Sequence, residues 1–181
     1  MRVAIFGGSF NPPHVGHQLV ALYVLETAAV DELWFVPCWK HTFDKALEPF
    51  PDRLRMTELA AAALGSRVRV SDVEARLGAE RSRTLVTIKA LRASHPEHEF
   101  SLVIGADIEP ELPLWYGADE LRRSVQLVVV GRAGFSGRSD VVMPAVSSTE
   151  IRARLRAGEA VDGLVPRGVL DYIRQRRLYL A

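Results

Sequence analysis

The chain of 181 residues alternates short apolar runs with longer amphipathic stretches, and this alternation limits its fold more than any other feature. Short apolar runs bounded by Gly or Pro are typical of strands, whereas apolar residues every three to four positions are typical of helices. The predicted strands are residues 3–6, 33–36, 68–70, 100–104 and 127–130. The predicted helices are residues 15–29, a segment that begins with Asp52 as its N-cap and ends at Gly65, and residues 84–94, 147–157 and 167–177. Because strands separated by helices form parallel sheets, the sequence predicts a Rossmann-like, doubly wound α/β fold with a helical C-terminal end. The runs 100–104 and 127–130 are continuously apolar, so we expect both strands to be buried on both faces.

The bulk properties indicate one globular domain spanning residues 1–181. Apolar residues make up 48% and charged residues 25% of the chain, as in ordinary folded proteins. The net charge of +1 gives no indication of a nucleic-acid partner. Cys38 is the single cysteine, which excludes an internal disulfide and favours a reducing compartment. No signal-peptide pattern and no apolar run near the ~20 residues that span a bilayer are present, so we expect a cytoplasmic protein without a membrane partner.

The most informative segment is residues 7–17, which reads Gly-Gly-Ser-Phe-Asn-Pro-Pro-His-Val-Gly-His. Glycines at the end of a strand let a bulky anion approach the backbone, so Gly8 is a candidate phosphate contact. His14 and His17 fall in the first turn of the predicted helix and on the same side of it. A helix N-terminus is an anion site, and imidazoles placed there can donate hydrogen bonds to phosphate oxygens as charge develops. Gly16 leaves space over the helix for a flat group such as a purine.

Other chemistries fit this segment less well. His14 and His17 could be zinc ligands, but only Cys38 and a few scattered histidines could complete such a site. The dinucleotide fingerprint Gly-x-Gly-x-x-Gly is absent, as is the phosphate-loop pattern that ends in Gly-Lys-Ser/Thr. A zinc protein is therefore a minor alternative.

Residues 7–17 resemble the Gly-x-Phe-x-x-x-His-x-Gly-His signature of the nucleotidylyltransferases that activate small cofactors, the relatives of class I aminoacyl-tRNA synthetases. The resemblance implies a Rossmann-like fold and direct in-line transfer of a nucleotidyl group, without a covalent enzyme intermediate. It implies that His14 and His17 contact the ATP phosphates and stabilise the transition state, while Ser9 and Phe10 present backbone groups. It also implies Mg²⁺ as a cofactor that is held mainly by the ATP phosphates and neutralises the departing pyrophosphate.

Residues 146–152, Val-Ser-Ser-Thr-Glu-Ile-Arg, place hydroxyls and free N–H groups at the start of a second helix. Ser147 and Glu150 are predicted to form a capping box, and Arg152 lies one turn into the helix. Taken alone, the segment would be an ordinary capped surface helix. It resembles the Ile-Ser-Ser-Thr-x-Ile-Arg motif that grips the β- and γ-phosphates in the same superfamily. By this resemblance the candidate ATP contacts are Ser147, Ser148, Thr149 and Arg152.

The middle of the chain carries the information about the acceptor. Gly105 and Asp107 follow the predicted strand 100–104, and open α/β sheets bind ligands at this end of their strands. Asp107 could accept hydrogen bonds from the ribose hydroxyls of ATP, or it could cap a helix. Trp115 and Tyr116 could stack on a heteroaromatic ring, or they could belong to the core.

This region, together with residues 31–37 and 164–179, resembles the bacterial nicotinate mononucleotide adenylyltransferases, and the similarity covers essentially the whole chain. Those enzymes make deamido-NAD and pyrophosphate from nicotinate mononucleotide and ATP. The resemblance implies that Trp115 stacks on the pyridine ring and that Thr84 and the Tyr116 backbone bind its carboxylate. It also makes Lys45 and Arg132 candidates for phosphate contacts.

Three positions depart from the usual pattern of that family. Asn11 stands where the family usually has Asp, and either side chain can cap the turn. The loop 38–51 lacks the usual Pro-Pro-His-Lys, which leaves Lys40 and Lys45 as alternatives for the phosphate contact; its length suggests a functional loop or lid. Arg83 replaces an aromatic residue near the acceptor pocket, where it could pair with a carboxylate or phosphate of the acceptor or point to solvent.

The sequence thus predicts an adenylyltransferase for nicotinate mononucleotide. One alternative is adenylylation of another phosphate acceptor, such as nicotinamide mononucleotide or phosphopantetheine. A second is a nucleotide-binding sensor without turnover, against which His14 and His17 argue, because a pure binder needs no donors for a transition state. A homo-oligomer is compatible with the sequence.

Overall fold

The computed structural model describes residues 1–40, 47–131 and 143–180. Within them, five strands form one parallel sheet in the order β3-β2-β1-β4-β5. The strands are β1 (Arg2–Gly8), β2 (Glu32–Pro37), β3 (Val68–Val70), β4 (Glu99–Gly105) and β5 (Gln126–Val130). Each of the five predicted strands is confirmed, and so is the parallel sheet.

Helices cover both faces of this sheet. They are α1 (Val15–Thr27), α2 (Phe50–Ala62), α3 (Val73–Leu77), α4 (Thr84–Ser94), α5 (Ala118–Ser124), α6 (Ser148–Arg156) and α7 (Arg167–Arg176), with a 3-10 helix at Glu109–Leu114. Successive residues of β1 point to opposite faces, as the pleat of a strand requires. Val3 and Ile5 pack under α3, α4 and α5, whereas Ala4 packs under α1 and α2. The doubly wound architecture is therefore confirmed.

The C-terminal helices form a third apolar cluster beside the sheet. Val169 and Ile173 of α7 pack with Ile151 of α6 against Met56 and other residues of α2, and these four side chains are at most 1% exposed. Burial of each such side chain contributes roughly 1.5–3 kcal/mol, enough to fix the C-terminal helices on α2. The predicted helical C-terminal end is confirmed.

The prediction that Asp52 is the N-cap of α2 is wrong. The helix begins at Phe50 with Pro49 as its N-cap, so Pro51 and Asp52 lie in its first turn. Proline is favoured there because its missing N–H would have no partner within the helix. The buried Asp52 instead accepts hydrogen bonds from Tyr172 Oη (2.8 Å) and Arg176 Nε (3.3 Å), and so connects α2 to α7.

The predicted burial of residues 127–130 is also wrong in part. β5 is the outermost strand of the described sheet, and Leu127, Val128 and Val129 are only half-buried. The short helices α3 and α5 and the 3-10 helix were not predicted, because five to seven residues are too few to show a helical period. No helix among the described residues has the length and apolar character needed to cross a membrane.

Candidate active site

A cleft of about 430 Å³ opens at the carboxyl ends of the central strands. It lies where the strand order reverses between β1 and β4, the point at which open α/β sheets bind ligands. Gly7 and Gly8 of β1 and Ile104 and Gly105 of β4 form its floor, and the start of α1 forms one wall. The topology thus brings the first sequence motif and Asp107, which also lines the cleft, to one place.

His14 and His17 both line this cleft, one at the N-cap and one in the first turn of α1. Their rings are stacked with centroids 3.7 Å apart. The His14 backbone N–H donates to His17 Nδ1 at 3.1 Å. Since Nδ1 accepts, a neutral His17 ring carries its proton on Nε2, which is then a hydrogen-bond donor. The predicted common orientation of the two side chains is confirmed.

Neighbouring rings leave little room for a side chain at two glycines of the first motif. A Cβ on Gly16 would lie 3.0 Å from His14 Nδ1, so the absence of a side chain makes room for the imidazole as well as for a ligand. A Cβ on Gly8 would lie 3.0 Å from Phe10 Cζ. Phe10 is 1% exposed and its ring lies 4.9 Å from that of His17, between centroids. Ser9 lines the cleft, whereas Phe10 does not, and its ring packs against that of His17 instead.

The second sequence motif packs directly on the first. Ser148 Oγ donates to the carbonyl of Pro12 at 2.9 Å, and Arg152 Nη1 donates to the carbonyl of Asn11 at 2.7 Å. Arg152 Nη2 also contacts Thr149 Oγ1 at 3.2 Å. These contacts, which span 136 and 141 positions of the sequence, join the two motifs. Val146 of the second motif lines the cleft, whereas Ser147, Ser148, Thr149 and Arg152 do not.

The expected capping box of α6 is only half present. Ser147 Oγ accepts from the Glu150 backbone N–H at 3.2 Å, as predicted. The Glu150 carboxylate pairs with Arg154, one turn further along the helix. Ser147 is therefore the N-cap of α6, and the Glu150 carboxylate forms an ion pair on the exposed face of the helix.

Asn11 is held by residues that the sequence did not indicate. It is 1% exposed, and its Oδ1 accepts from Tyr179 Oη at 2.7 Å and from the Glu48 backbone N–H at 3.2 Å. Burial raises the pKa of Tyr179, so the phenol stays protonated and donates. Asn11 thus joins the first motif to the C-terminus and to the chain entering α2, which is more than the local turn cap that was expected.

The far side of the cleft is formed by residues predicted to bind the acceptor. Thr84 and Trp115 line the cleft, and Trp115 also packs against the apolar cluster under α4. Arg83 and Tyr116 do not line it. They lie at the exposed surface beside it, with the Arg83 guanidinium 4.0 Å from the centroid of the Tyr116 ring. Lys45 and Arg132 lie outside the described residues.

The sequence did not indicate two buried charged residues, Glu74 in the lining of the cleft and Arg53 beside it. Arg53 is 1% exposed and Glu74 is 9% exposed, and both bind backbone or hydroxyl groups of the segments that border the cleft. Burial lowers the pKa of the Arg53 guanidinium. No motif marks either residue, because each acts through contacts distant in sequence.

Two imidazoles at a helix N-terminus, on the switch point of a parallel sheet, are suited to the transfer of a nucleotidyl group. The cytidylyltransferase-like family model matches residues 5–154. A protein of Anaeromyxobacter sp. strain K, named "Probable nicotinate-nucleotide adenylyltransferase", is 47% identical over 98% of this chain and 96% of its own length. A Myxococcus xanthus protein of the same name is 40% identical over 99% of this chain and 95% of its own length.

A solved structure shares the fold over nearly its full length. The Plasmodium falciparum nicotinic acid mononucleotide adenylyltransferase complexed with NaAD has a TM-score of 0.83 at 22% identity, covering 98% of this chain and 97% of that chain. The chain belongs to the cytidylyltransferase-like family and, within it, to the nicotinate-nucleotide adenylyltransferases. The family resemblance inferred from the two motifs is confirmed.

Proposed function

We propose that this protein transfers AMP from ATP to nicotinate mononucleotide, giving deamido-NAD and pyrophosphate in NAD biosynthesis. The observation that carries the proposal is one continuous cleft with His14 and His17 on its α1 wall and Thr84 and Trp115 across from them. Curated relatives at 40–47% identity are named for this activity.

In the proposed reaction a phosphate oxygen of the acceptor attacks the α-phosphorus of ATP. A new P–O bond forms there while the bond to the oxygen bridging the α- and β-phosphorus breaks, and that oxygen leaves with pyrophosphate. His17 Nε2–H, fixed by the bond between Nδ1 and the His14 backbone, donates to a phosphate oxygen as negative charge develops. The His14 ring, which is stacked on that of His17, contacts the same phosphates.

The other predicted contacts divide the cleft into two ends. At the ATP end, Gly8 and Ser9 present the backbone to the phosphates and Asp107 accepts from the ribose hydroxyls. At the acceptor end, Trp115 stacks on the pyridine ring and Thr84 binds its carboxylate, whereas the contact predicted for the Tyr116 backbone is not proposed because Tyr116 lies outside the lining of the cleft. Contacts of Lys45 and Arg132 with phosphate stay predictions.

Magnesium is proposed to enter with ATP. The carboxylates among the described cleft residues are Glu74 and Asp107, and Glu74 already accepts from three protein donors. Mg²⁺ prefers oxygen ligands and retains waters, so this lining fits an ion held mainly by the nucleotide's phosphates. Bound there, the ion would neutralise charge on the departing pyrophosphate.

The test compares turnover with the three candidate acceptors and the effect of His17→Ala. We expect pyrophosphate release to be fastest with nicotinate mononucleotide, slower with nicotinamide mononucleotide and absent with phosphopantetheine. His17→Ala should lower kcat by roughly 10²-fold or more while the affinity for an ATP analogue changes little. Leu22→Ala, on the exposed face of the same helix, is the matched control and should leave both unchanged.

Two outcomes would contradict the proposal. Faster turnover with another acceptor would replace nicotinate mononucleotide, and ATP binding without turnover on any acceptor would favour the sensor. The cytoplasmic location expected from the sequence stays a prediction that cell fractionation would test.

A further inference from the structure

The backbone of Trp39 lies between two buried side chains of opposite charge. Its N–H donates to Glu74 Oε2 at 2.9 Å, and its carbonyl accepts from Arg53 Nη2 at 3.2 Å. A buried charge is costly unless it is well hydrogen-bonded. Here the two peptide groups that flank Trp39 bind one side chain each, the N–H of the first on the anion and the carbonyl of the second on the cation.

Arg53 connects the Trp39 backbone to the ATP end of the cleft. Its Nη1 donates to the carbonyl of Ser9 at 2.9 Å, and its Nε donates to the carbonyl of Glu48 at 2.9 Å. The guanidinium presents N–H donors in a rigid fork, so a single planar group fixes three carbonyls relative to one another. Arg53 therefore sets the position of Ser9, which lines the cleft within the first motif.

Glu74 connects the Trp39 backbone to the acceptor end. Its Oε1 accepts from Thr87 Oγ1 at 2.8 Å, and its Oε2 accepts from Ser82 Oγ. Ser82 and Thr87 line the cleft on either side of Thr84. An ionised carboxylate only accepts hydrogen bonds, which matches three donors converging on it.

We propose that Arg53 and Glu74 are positioning residues that act as one unit through the backbone of Trp39 and couple the ATP end of the cleft to its acceptor end. A ligand that orders Ser9 then also orders the Trp39 backbone and, through Glu74, the segment that carries Thr84. The second ligand binds to a site already ordered, so the two substrates bind with positive cooperativity. This inference rests on the proposed function for the identity of the two ligands.

The binding test uses Arg53→Lys, Glu74→Gln and the double variant. Lysine keeps the charge of Arg53 but loses its fork, and glutamine keeps the shape of Glu74 but replaces an acceptor with a donor. Affinities for a non-hydrolysable ATP analogue and for nicotinate mononucleotide are measured by calorimetry, each ligand alone and in the presence of the other.

We expect each ligand to tighten the binding of the other by about 5-fold or more in the unsubstituted protein. Each single variant should lose this cooperativity, and the double variant should lose no more than the stronger single variant. Arg53→Lys should weaken acceptor binding, although Arg53 contacts the ATP end, and Glu74→Gln should weaken binding of the ATP analogue. Met56→Ala, a buried change in the same helix as Arg53 but away from the cleft, controls for lost stability and should preserve the cooperativity.

Hydrogen exchange on the unliganded protein makes the inference testable apart from the proposed function. The Trp39 amide should exchange faster in Arg53→Lys as well as in Glu74→Gln, although only Glu74 accepts from that N–H. Effects confined to each variant's own end of the cleft, or an unchanged Trp39 amide in Arg53→Lys, would overturn the coupling. Failure of nicotinate mononucleotide to bind the unsubstituted protein would instead count against the proposed function, and the exchange data would still decide on the unit.

Discussion

Replacing Gly105 by alanine should move the Asp107 carboxylate without removing it. A Cβ built on Gly105 would lie 2.3 Å from Asp107 Oδ1, well inside the 3.4 Å at which ordinary contacts begin. The carboxylate must therefore withdraw by about 1 Å. It can do so, because it is the end of a flexible side chain, and Gly105 is not among the glycines with positive φ. The substitution thus tests whether the position of Asp107, rather than only its charge, serves the proposed contact with ribose.

The expected effect follows from the hydrogen bonds that a displaced carboxylate would lose. A hydrogen bond to a charged group contributes roughly 1.5–3 kcal/mol, and a displacement of about 1 Å stretches it beyond useful length. Each 1.4 kcal/mol corresponds to a factor of ten, so KM for ATP should rise by about 10- to 100-fold. The free energy of unfolding should change by less than about 1 kcal/mol, since alanine restricts the unfolded chain more than glycine does.

The assay is pyrophosphate release at varied ATP concentration for Gly105→Ala, Asp107→Ala and the combined variant. Gly105→Ala and Asp107→Ala should raise KM for ATP to similar extents, and the combined variant should be no worse than Asp107→Ala, because both changes remove one interaction. A further loss from Gly105→Ala in the Asp107→Ala background would show that the alanine harms the cleft in another way. An unchanged KM in both single variants would refute a ribose contact by Asp107.

Tyr179→Phe removes the hydroxyl that donates to Asn11 Oδ1, while the hydrogen bond from the Glu48 backbone N–H to the same oxygen remains. The free energy of unfolding should fall by about 1–2 kcal/mol, which thermal unfolding would show as a decrease in Tm of roughly 2–8 °C. Because burial raises the pKa of Tyr179, the contribution of its hydroxyl to stability is complete below the ordinary tyrosine pKa of ~10 and is lost as pH rises above that value. Stability measured from pH 8 to 11 should therefore fall less steeply in Tyr179→Phe, and parallel curves would contradict the assignment. Arg83→Ala should change KM for the acceptor by less than about threefold, because the guanidinium stacks on Tyr116 outside the lining of the cleft. An exposed contact of this kind contributes roughly 0.5–1 kcal/mol. A tenfold rise of KM in steady-state assays would show that Arg83 reaches the acceptor.

The fold was predictable where the sequence carries long or repeated patterns. The strands that form the centre of the sheet are continuous apolar runs, and α4 was predicted with the bounds it has, residues 84–94. The start of α2 was not predicted correctly, because two sequence signals for a helix start compete there. Asp52 has the side chain of a cap, but Pro51 fits the first turn, and Asp52 is needed inside to bind Tyr172 and Arg176 of α7.

The candidate site was predictable only where its residues are adjacent in sequence. His14 and His17 lie within one motif and meet as expected. Arg53, Glu74 and Tyr179 support the site from α2, from α3 and from the turn after α7, and nothing in their local sequence indicates which carbonyls or amides they bind. Such contacts depend on tertiary packing, which a pattern along one segment cannot reveal.

The packing of the two motifs changes how the second one should be understood. Arg152 directs one N–H to the carbonyl of Asn11 and another to Thr149, and a guanidinium has five N–H donors in all. Ser148 is likewise directed at the carbonyl of Pro12. These groups hold the loop between β1 and α1 in place before any nucleotide binds, and that loop ends at His14. A phosphate held by the remaining donors of Arg152 would thus bind a side chain that already fixes the first motif. The second motif therefore serves the reaction in two ways, as a candidate phosphate ligand and as the brace that orients the two histidines.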